Sequence, residues 1–267
     1  MELVNAAFSR FSSGVHRFFL PTELTLREPL TLSPEDSHHA ANVLRVRAGE
    51  AVIILDGVGT EIRGVIHSVS KQTVTVTVRE RVRYPERLVQ LQLAVALLKG
   101  RAWDAVLEKA TELGAAVIQP LAAERSIVQV TAAVAQSKLA GWRATMIAAA
   151  KQCGTPWLPD FPNPTTPHDW LRSLGSSSRS PELRLVASLE SGAGSIRAAV
   201  ANFATGHGRR PQSVAVVVGP EGDFTTTEYA AFRAAGVVPF TLGSLVLRAD
   251  TAAVAALAVA GAEMAAE

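Results

Sequence analysis

Apolar and polar positions alternate over short stretches in the first third of the chain and recur at helical spacing afterwards. Residues 73–78 are a strict Thr–Val alternation. Val74, Val76 and Val78 face one way and Thr73, Thr75 and Thr77 the other, as a half-buried strand requires. Continued in the same register, the strand puts Arg79, Arg81 and Arg83 on the threonine side. Such a basic row suits a phosphate backbone, and it equally suits an edge guarded against strand-to-strand aggregation. Ala51–Asp56 is a short apolar run that ends in the turn pair Asp56-Gly57. Residues 16–87 therefore read as one β-rich domain, closed by the linker Tyr84-Pro85-Glu86-Arg87.

Residues 88–267 change period. Strands are predicted at 89–98, 116–121, 185–189, 214–218 and 237–242. Between them lie amphipathic helices. Over 101–113, Trp103, Val106, Leu107, Ala110 and Leu113 share a face, and Gly114 ends the helix. Over 137–152, Leu139, Trp142, Met146, Ile147 and Ala150 do the same. Thr225 and Glu228 form a capping box at the start of a further helix that Gly236 closes. The last helix, 251–262, carries Val254, Leu257 and Ala258 among small residues. Residues 156–167 and 174–181 read as proline-rich and serine-rich loops. Strands alternating with helices imply an α/β class with a parallel sheet covered on both faces.

Composition narrows the class. Hydrophobic residues make up 48% and charged residues 19%, which excludes a disordered chain. Cys153 is the sole cysteine, so an internal disulfide and a multi-cysteine metal site are both excluded. It reads as a small buried residue near a helix end. His38 and His39 lack an acidic or cysteine neighbour at ligand spacing, so no metal is expected. The formal net charge of +2 leaves nucleic acid open, because clustering and not the total decides. No apolar run is long enough to cross a bilayer. Met1–Val15 lacks the apolar centre of a signal peptide and reads as a flexible leader. A cytoplasmic protein without a membrane partner is expected.

Candidate chemistry gathers where strands end. Glu190-Ser191-Gly192-Ala193-Gly194 starts like a dinucleotide fingerprint, but Arg197 occupies the third glycine position, which favours a simple helix lead-in. Gly219-Pro220-Glu221-Gly222-Asp223-Phe224 directly follows the strand 214–218. In an open α/β sheet that is the ligand side, and glycine lets backbone approach a ligand closely. The third segment runs from Leu242 and Gly243 through Leu245, Val246, Leu247 and Arg248 to Asp250 and Thr251. Asp and Thr suit a helix start as caps, whereas a cation there opposes the helix dipole. Arg248 thus points to a task other than helix stability.

Gly219-Pro-Glu-Gly-Asp-Phe followed by Leu242-Gly243…Val246-Leu-Arg248…Thr251-Ala resembles the cofactor signature of the SPOUT methyltransferases. More narrowly, the chain is similar to the RsmE family of 16S ribosomal RNA uridine-N3 methyltransferases. Lys99-Gly100 with Glu108-Lys109-Ala-Thr-Glu112-Leu-Gly114, Glu124-Arg125-Ser126, Trp142…Lys151-Gln152-Cys-Gly154, His16-Arg17-Phe18-Phe19 and His39…Leu44-Arg45…Gly49-Glu50…Asp56-Gly57 extend the match over residues 16–262.

The resemblance implies a PUA-like RNA-binding β-barrel over 16–87 and a trefoil-knotted α/β domain over 88–267. It also implies a homodimer and an S-adenosylmethionine (SAM) pocket built by Leu189-Glu190, Gly219–Gly222 and Leu242–Thr251. Three positions depart from the pattern. Asp250 stands where the family usually has glutamate, Asp223 where many members have glycine, and Asn42 where arginine is frequent.

On this reading the cofactor is held by Leu189, Glu190, Gly219, Pro220, Glu221, Gly222, Leu242, Gly243, Leu245, Val246, Leu247, Arg248 and Thr251. Arg248 stabilises charge that develops on the uridine, and Asp250 or Glu221 takes the N3 proton. Arg17, His39, Arg45, Arg47, Arg81 and Arg83 are the candidate contacts to 16S ribosomal RNA, either free or in the small ribosomal subunit. Competing readings are a non-catalytic RNA-binding or assembly factor, a SAM-dependent enzyme acting on another RNA, and an unknotted enzyme using the Gly192–Gly194 turn.

Overall fold

The computed structural model describes residues 15–128, 132–175, 180–190 and 192–265. The leader expected over 1–15 falls outside them apart from Val15. The described chain divides into two compact units. One comprises residues up to 86 together with 147–158; the other comprises 87–146 and 159 onward. A linear cut at 87 differs in one respect, because residues 147–158 belong with the N-terminal unit.

The N-terminal unit is built on a sheet of five strands: β1 (His16–Phe19), β2 (Leu30–Thr31), β3 (Ala51–Leu55), β4 (Thr60–Val69) and β5 (Val74–Arg83). Their order is β1-β3-β4-β5-β2. β1 runs parallel to β3 and the other pairs are antiparallel. Among the described residues β1 and β2 are the two ends of this hydrogen-bonded order. Phe18, Leu20, Leu30, Ile54, Ile62, Ile66, Val74 and Val76 form its core.

The expected arginine row on β5 does not hold. The ladder slips between Arg63 and Gly64, which pair with Glu80 and Val78, so Arg79 is the extra residue of a β-bulge. One inserted residue reverses which face the following side chains take. Arg81 therefore pairs with Ile62, on the valine side of the strand rather than with the threonines.

A short helix α1 (Pro34–His38), capped by the Ser33 hydroxyl, leads into a π-helical stretch over His39–Leu44. Arg45 ends that stretch in the left-handed region at φ 56°. Within α1, Asp36 is buried and accepts from the Phe19 N–H at 3.2 Å and from Lys151 Nζ at 2.9 Å. Residues 156–158 run beside the Asp56–Thr60 turn. The Gly59 N–H donates to Pro156 O, the Leu158 N–H donates to Gly57 O, and the Arg83 guanidinium lies 5.1 Å over the Trp157 ring.

The second unit is a parallel sheet of β6 (Gln90–Ala96), β7 (Val117–Leu121), β8 (Leu183–Ala187), β9 (Ser213–Val218) and β10 (Val238–Phe240), in the order β10-β8-β9-β6-β7. The central strands are almost wholly buried, as a sheet covered on both faces demands. Helices α2 (Arg101–Glu112), α3 (Ala132–Cys153), α4 (Pro167–Leu174), α5 (Ile196–His207), α6 (Thr226–Ala234) and α7 (Ala249–Ala265) complete it, except that α3 ends in the other unit.

The face of α2 is as expected at Trp103, Val106, Leu107 and Ala110, which are buried, whereas Leu113 falls just past the helix as its C-cap and is half-buried. α4 was not expected. Thr166 caps it through the Asp169 N–H and Pro167 occupies its first turn, so residues read as loop are a helix start. The buried stripe of α7 is Ala253, Ala256, Leu257, Ala260 and Met264, whereas Ala258 is exposed. Small residues let α7 lie close against β6, where a Cβ on Gly261 would stand 3.1 Å from Leu91.

Glu182 fastens the α5–β9 connection to the start of β8. It pairs with Arg209 at 2.6 Å and accepts from the Gln212 N–H at 2.7 Å. These partners, Arg209 first, hold its carboxyl down at about 2 against an ordinary 4.5. A depressed carboxylate contributes stability above its unfolded pKa and loses it as pH falls through the folded value. Wild type is therefore expected to exceed Glu182→Gln in stability at neutral pH, with the gap closing between about pH 4.5 and 2. Urea unfolding across that range reads the difference.

Candidate functional site

At the C-terminal ends of β8, β9 and β10 the chain makes three turns around a cavity of about 310 Å³. Clefts of roughly 300–1,000 Å³ hold small molecules and cofactors. Ala187, Ser188 and Leu189 contribute from the first turn. Val218, Gly219, Pro220, Glu221 and Asp223 come from the second, and Phe240–Leu242 and Leu245–Asp250 from the third. Parallel strands end here together because their βα connections leave from one edge of the sheet.

Most of the expected cofactor residues meet at this cavity: Leu189, Gly219, Pro220, Glu221, Leu242, Leu245, Val246, Leu247 and Arg248 line it, as does Asp250. Glu190, Gly222, Gly243 and Thr251 are not among the lining residues. Glu190 is instead turned to an ion pair with Arg233. The carbonyl of Gly222 accepts from Arg125 Nη1 at 3.1 Å, and a Cβ there would stand 3.3 Å from the Arg125 side chain, so this glycine gives room to a protein neighbour. Thr251 is exposed one position past Asp250, whose Oδ1 accepts the Thr251 N–H at 3.0 Å. Asp250 thus lies inside the first turn of α7 and satisfies the amide of the residue after it, where its charge suits the helix dipole; it is not the cap expected of that residue type.

Arg248 occupies the cavity rim immediately before α7. Its side chain makes no hydrogen bond or ion pair among the described residues, in keeping with a cation not placed for the helix. The first glycine turn behaves as the lead-in expected of it: Ser195 caps α5 through the Ala198 N–H.

Several lining residues escaped sequence reasoning. Leu98 follows β6 and Ala102 sits in the first turn of α2, supplying an apolar wall. A hydrophobic strand end carries no chemical signature, and only the fold brings it to the turns. Asp223, a departure from the family pattern, also lines the cavity.

The second turn is rigidly built. Asp223 has φ 59°, a left-handed conformation that glycine takes freely and that Asp and Asn tolerate best among the rest. Its Oδ1 accepts from the Phe224 N–H at 2.7 Å and the Tyr229 hydroxyl at 2.8 Å. The phenol also lies 3.1 Å from Ala187 O and touches the Ser188 hydroxyl, which in turn accepts from the Glu190 N–H at 3.1 Å. Burial, reinforced by the Asp223 carboxylate, lifts the phenol well above its ordinary range, so it remains a proton donor. Behind the turn, Thr225 and Glu228 form the expected capping box of α6, and a Glu228 oxygen also accepts the Glu124 N–H at 2.9 Å.

The candidate RNA contacts divide within the N-terminal unit. His39, Arg45 and Arg47 are exposed, and their side chains make no hydrogen bond or ion pair among the described residues. Arg17 reaches Gln152 O at 3.4 Å. Arg81 is occupied by Thr25 O at 2.8 Å and by Glu28, and Arg83 by Thr60 Oγ1 at 3.2 Å and the Trp157 ring. His39, Arg45 and Arg47 are therefore better placed for an external phosphate than Arg81 and Arg83.

Comparison with known proteins agrees with this geometry. The RNA methyltransferase domain family matches residues 85–261, and the RNA methyltransferase PUA domain family matches 32–79. A ribosomal RNA small subunit methyltransferase E of Synechocystis is 30% identical over 248 residues, which are 91% of this chain and 76% of that protein. One from Bacillus subtilis is 28% identical over 91% of this chain and 94% of its own. Among solved structures, a ribosomal RNA small subunit methyltransferase E from Neisseria gonorrhoeae bound to S-adenosyl methionine superposes with a TM-score of 0.76. It is 28% identical, and the match covers 92% of this chain and 96% of that one. Lpg2936 from Legionella pneumophila, solved with the bound cofactor SAM, gives a TM-score of 0.81 at 30% identity over 93% and 97% of the two chains.

Proposed function

This chain belongs to the RNA methyltransferase family of the ribosomal RNA small subunit methyltransferases E, and on that premise we propose that it methylates N3 of a uridine in 16S ribosomal RNA with SAM as donor. The observation that carries the reading is the cavity at the strand ends, where the turns after β8, β9 and β10 converge. Its size, its apolar wall of Leu98, Leu189, Leu245 and Val246, and its glycine-proline turn fit a nucleoside with an amino-acid tail.

Leu189, Gly219, Pro220, Leu242 and Leu245–Leu247 hold the cofactor on this reading. Bound SAM supplies a methyl group activated by its sulfonium. The chain's own contribution is alignment and management of charge. Uridine N3 carries a proton at neutral pH and must lose it to attack. Asp250 or Glu221, both at the cavity wall, accepts that proton directly or through a water molecule. The unpartnered Arg248 guanidinium faces the negative charge that then spreads over the uracil oxygens, which is electrostatic stabilisation of the oxyanion kind. Because pairing hides N3, the target base is taken unpaired or flipped out. Phosphate contacts fall to His39, Arg45, Arg47 and Arg17 of the PUA-like unit.

Two architectural elements complete the proposal. The α/β domain is a trefoil knot. This is supported by β10 lying at the sheet edge beyond β8, while α7, which follows it, packs on β6, β9 and α2. The working form is a homodimer, supported by an apolar groove of about 340 Å³ among Val89, Leu91, Leu113, Leu257 and Ala258. A substrate in the ribosome places the work in the cytoplasm. Among the described residues no helix is long and apolar enough to cross a membrane.

Ribosomal RNA from cells lacking this chain is expected to miss one N3-methyluridine, read by nuclease digestion and mass spectrometry. An unchanged methyluridine complement rejects the assignment. Calorimetric titration with SAM separates the enzyme from a non-catalytic RNA-binding factor, which gives no heat.

A further inference from the structure

The cavity wall carries three carboxylates, Glu221, Asp223 and Asp250, against one guanidinium, Arg248. They differ in how firmly they are held. Glu221 is exposed on a long flexible stem, and no hydrogen bond fixes it among the described residues. Asp250 spends Oδ1 on the Thr251 N–H at the start of α7. Asp223 is half-buried and doubly anchored through Oδ1, by Tyr229 and by its own neighbour Phe224. Its Oδ2 makes no hydrogen bond among the described residues. The anchoring phenol also lies against Ala187 O, so one side chain ties the turn after β8 to the turn after β9.

The conformation of Asp223 adds an independent argument. At φ 59° glycine fits without cost, and a side chain is retained there against a conformational penalty. A carboxylate set rigidly at a pocket wall does something a glycine cannot: it fixes a negative charge. SAM carries a sulfonium and an ammonium against one carboxylate and is a net cation. The thioether product, S-adenosylhomocysteine, has lost the sulfonium charge and is neutral overall. Opposite charge close by favours the former, and favours it more in a site partly withdrawn from water.

We propose that Asp223, braced by Tyr229, is a specificity-determining residue that makes the pocket prefer the sulfonium donor over its thioether product. The inference rests on the reading of this cavity as the SAM site. Tyr229 is a positioning residue: it holds the carboxylate and does not itself meet the ligand. The consequence is functional, since an enzyme that releases its product more readily than its donor turns over without product inhibition.

Calorimetry on the full chain, with SAM and S-adenosylhomocysteine titrated separately, tests this. In Asp223→Asn the shape and the left-handed backbone are kept and only the charge is lost. SAM binding is expected to weaken about tenfold, equivalent to about 1.4 kcal/mol. Thioether binding should change less than about threefold, so that the ratio of the two falls. Asp223→Gly, which suits the backbone without a side chain, gives the same fall in ratio. Tyr229→Phe gives a smaller fall in the same direction. Equal changes for both ligands in Asp223→Asn, or an unaltered ratio, overturn the proposal while leaving the SAM site standing. Wild type binding neither ligand overturns the SAM site, and this inference with it.

Discussion

Replacing Arg248 with alanine is expected to lower the methyl-transfer rate by about a hundred- to a thousandfold while moving the SAM dissociation constant by less than about threefold. The split follows from where the residue sits. Arg248 precedes the first turn of α7 at the cavity rim, and its guanidinium makes no ion pair among the described residues. A cation there opposes the positive end of the helix dipole, so removing it costs the fold little. In the proposed mechanism its work falls on charge that exists only once uridine N3 has given up its proton. An interaction made in the transition state and not in the ground state appears in kcat rather than in binding. Arg248→Lys keeps the charge but loses the planar fork, and an intermediate rate is expected. Single-turnover methylation of ribosomal RNA, set beside calorimetric SAM affinity, reads both quantities. Wild-type turnover in Arg248→Ala removes this residue from the mechanism, and an equal loss in both makes it a plain binding residue.

Gly59→Ala is expected to be the most damaging single methyl addition to the N-terminal unit, costing about 2–5 kcal/mol. Two penalties coincide. Gly59 has φ 102°, a conformation that L side chains rarely adopt, and a Cβ there would come within 2.2 Å of the Trp157 ring. The ring has little freedom to withdraw, since Arg83 stacks over it and the backbone on either side, at Pro156 and Leu158, is bonded to Gly59 and Gly57. Thermal unfolding followed by circular dichroism should show the first transition lowered by roughly 10 °C or more. A shift under about 2 °C means the Trp157 segment yields easily and contributes little to that unit.

How much of this was legible in the sequence depends on the range over which each feature is decided. The parallel sheet, the face of α2 and the capping box of α6 follow from neighbours a few residues apart, and all three stand. The strand-end turns at Gly219–Glu221 and Leu245–Arg248 were legible in residue type, and the structure brings them to one cavity. Features fixed by one residue out of step were not. The bulge at Arg79 breaks no propensity rule, yet it puts Arg81 across from Ile62 and undoes the expected basic row. Pro167 read as loop punctuation, although proline is also at home in the first turn of a helix, and Thr166 supplied the cap. The remaining misses were non-local. Glu190 was drawn to Arg233, 43 positions away, and Leu98 reached the cavity only through the sheet. Asp223 was visible as an odd residue, but its partner Tyr229 was not, since an aromatic on α6 looks like ordinary core.

The contribution of residues 147–158 to the N-terminal unit has a bearing on biosynthesis. The first 86 residues leave the ribosome well before Lys151 and Trp157 exist, so Asp36 has no ammonium to meet and Gly59 no indole to cover. Vectorial folding, in which an N-terminal segment completes itself before the next is made, is the ordinary course for multi-unit chains. Here it has to pause. The nascent N-terminal unit waits, part-assembled, until about a third of the second unit has been translated, and the two reach their native states in overlapping rather than successive intervals.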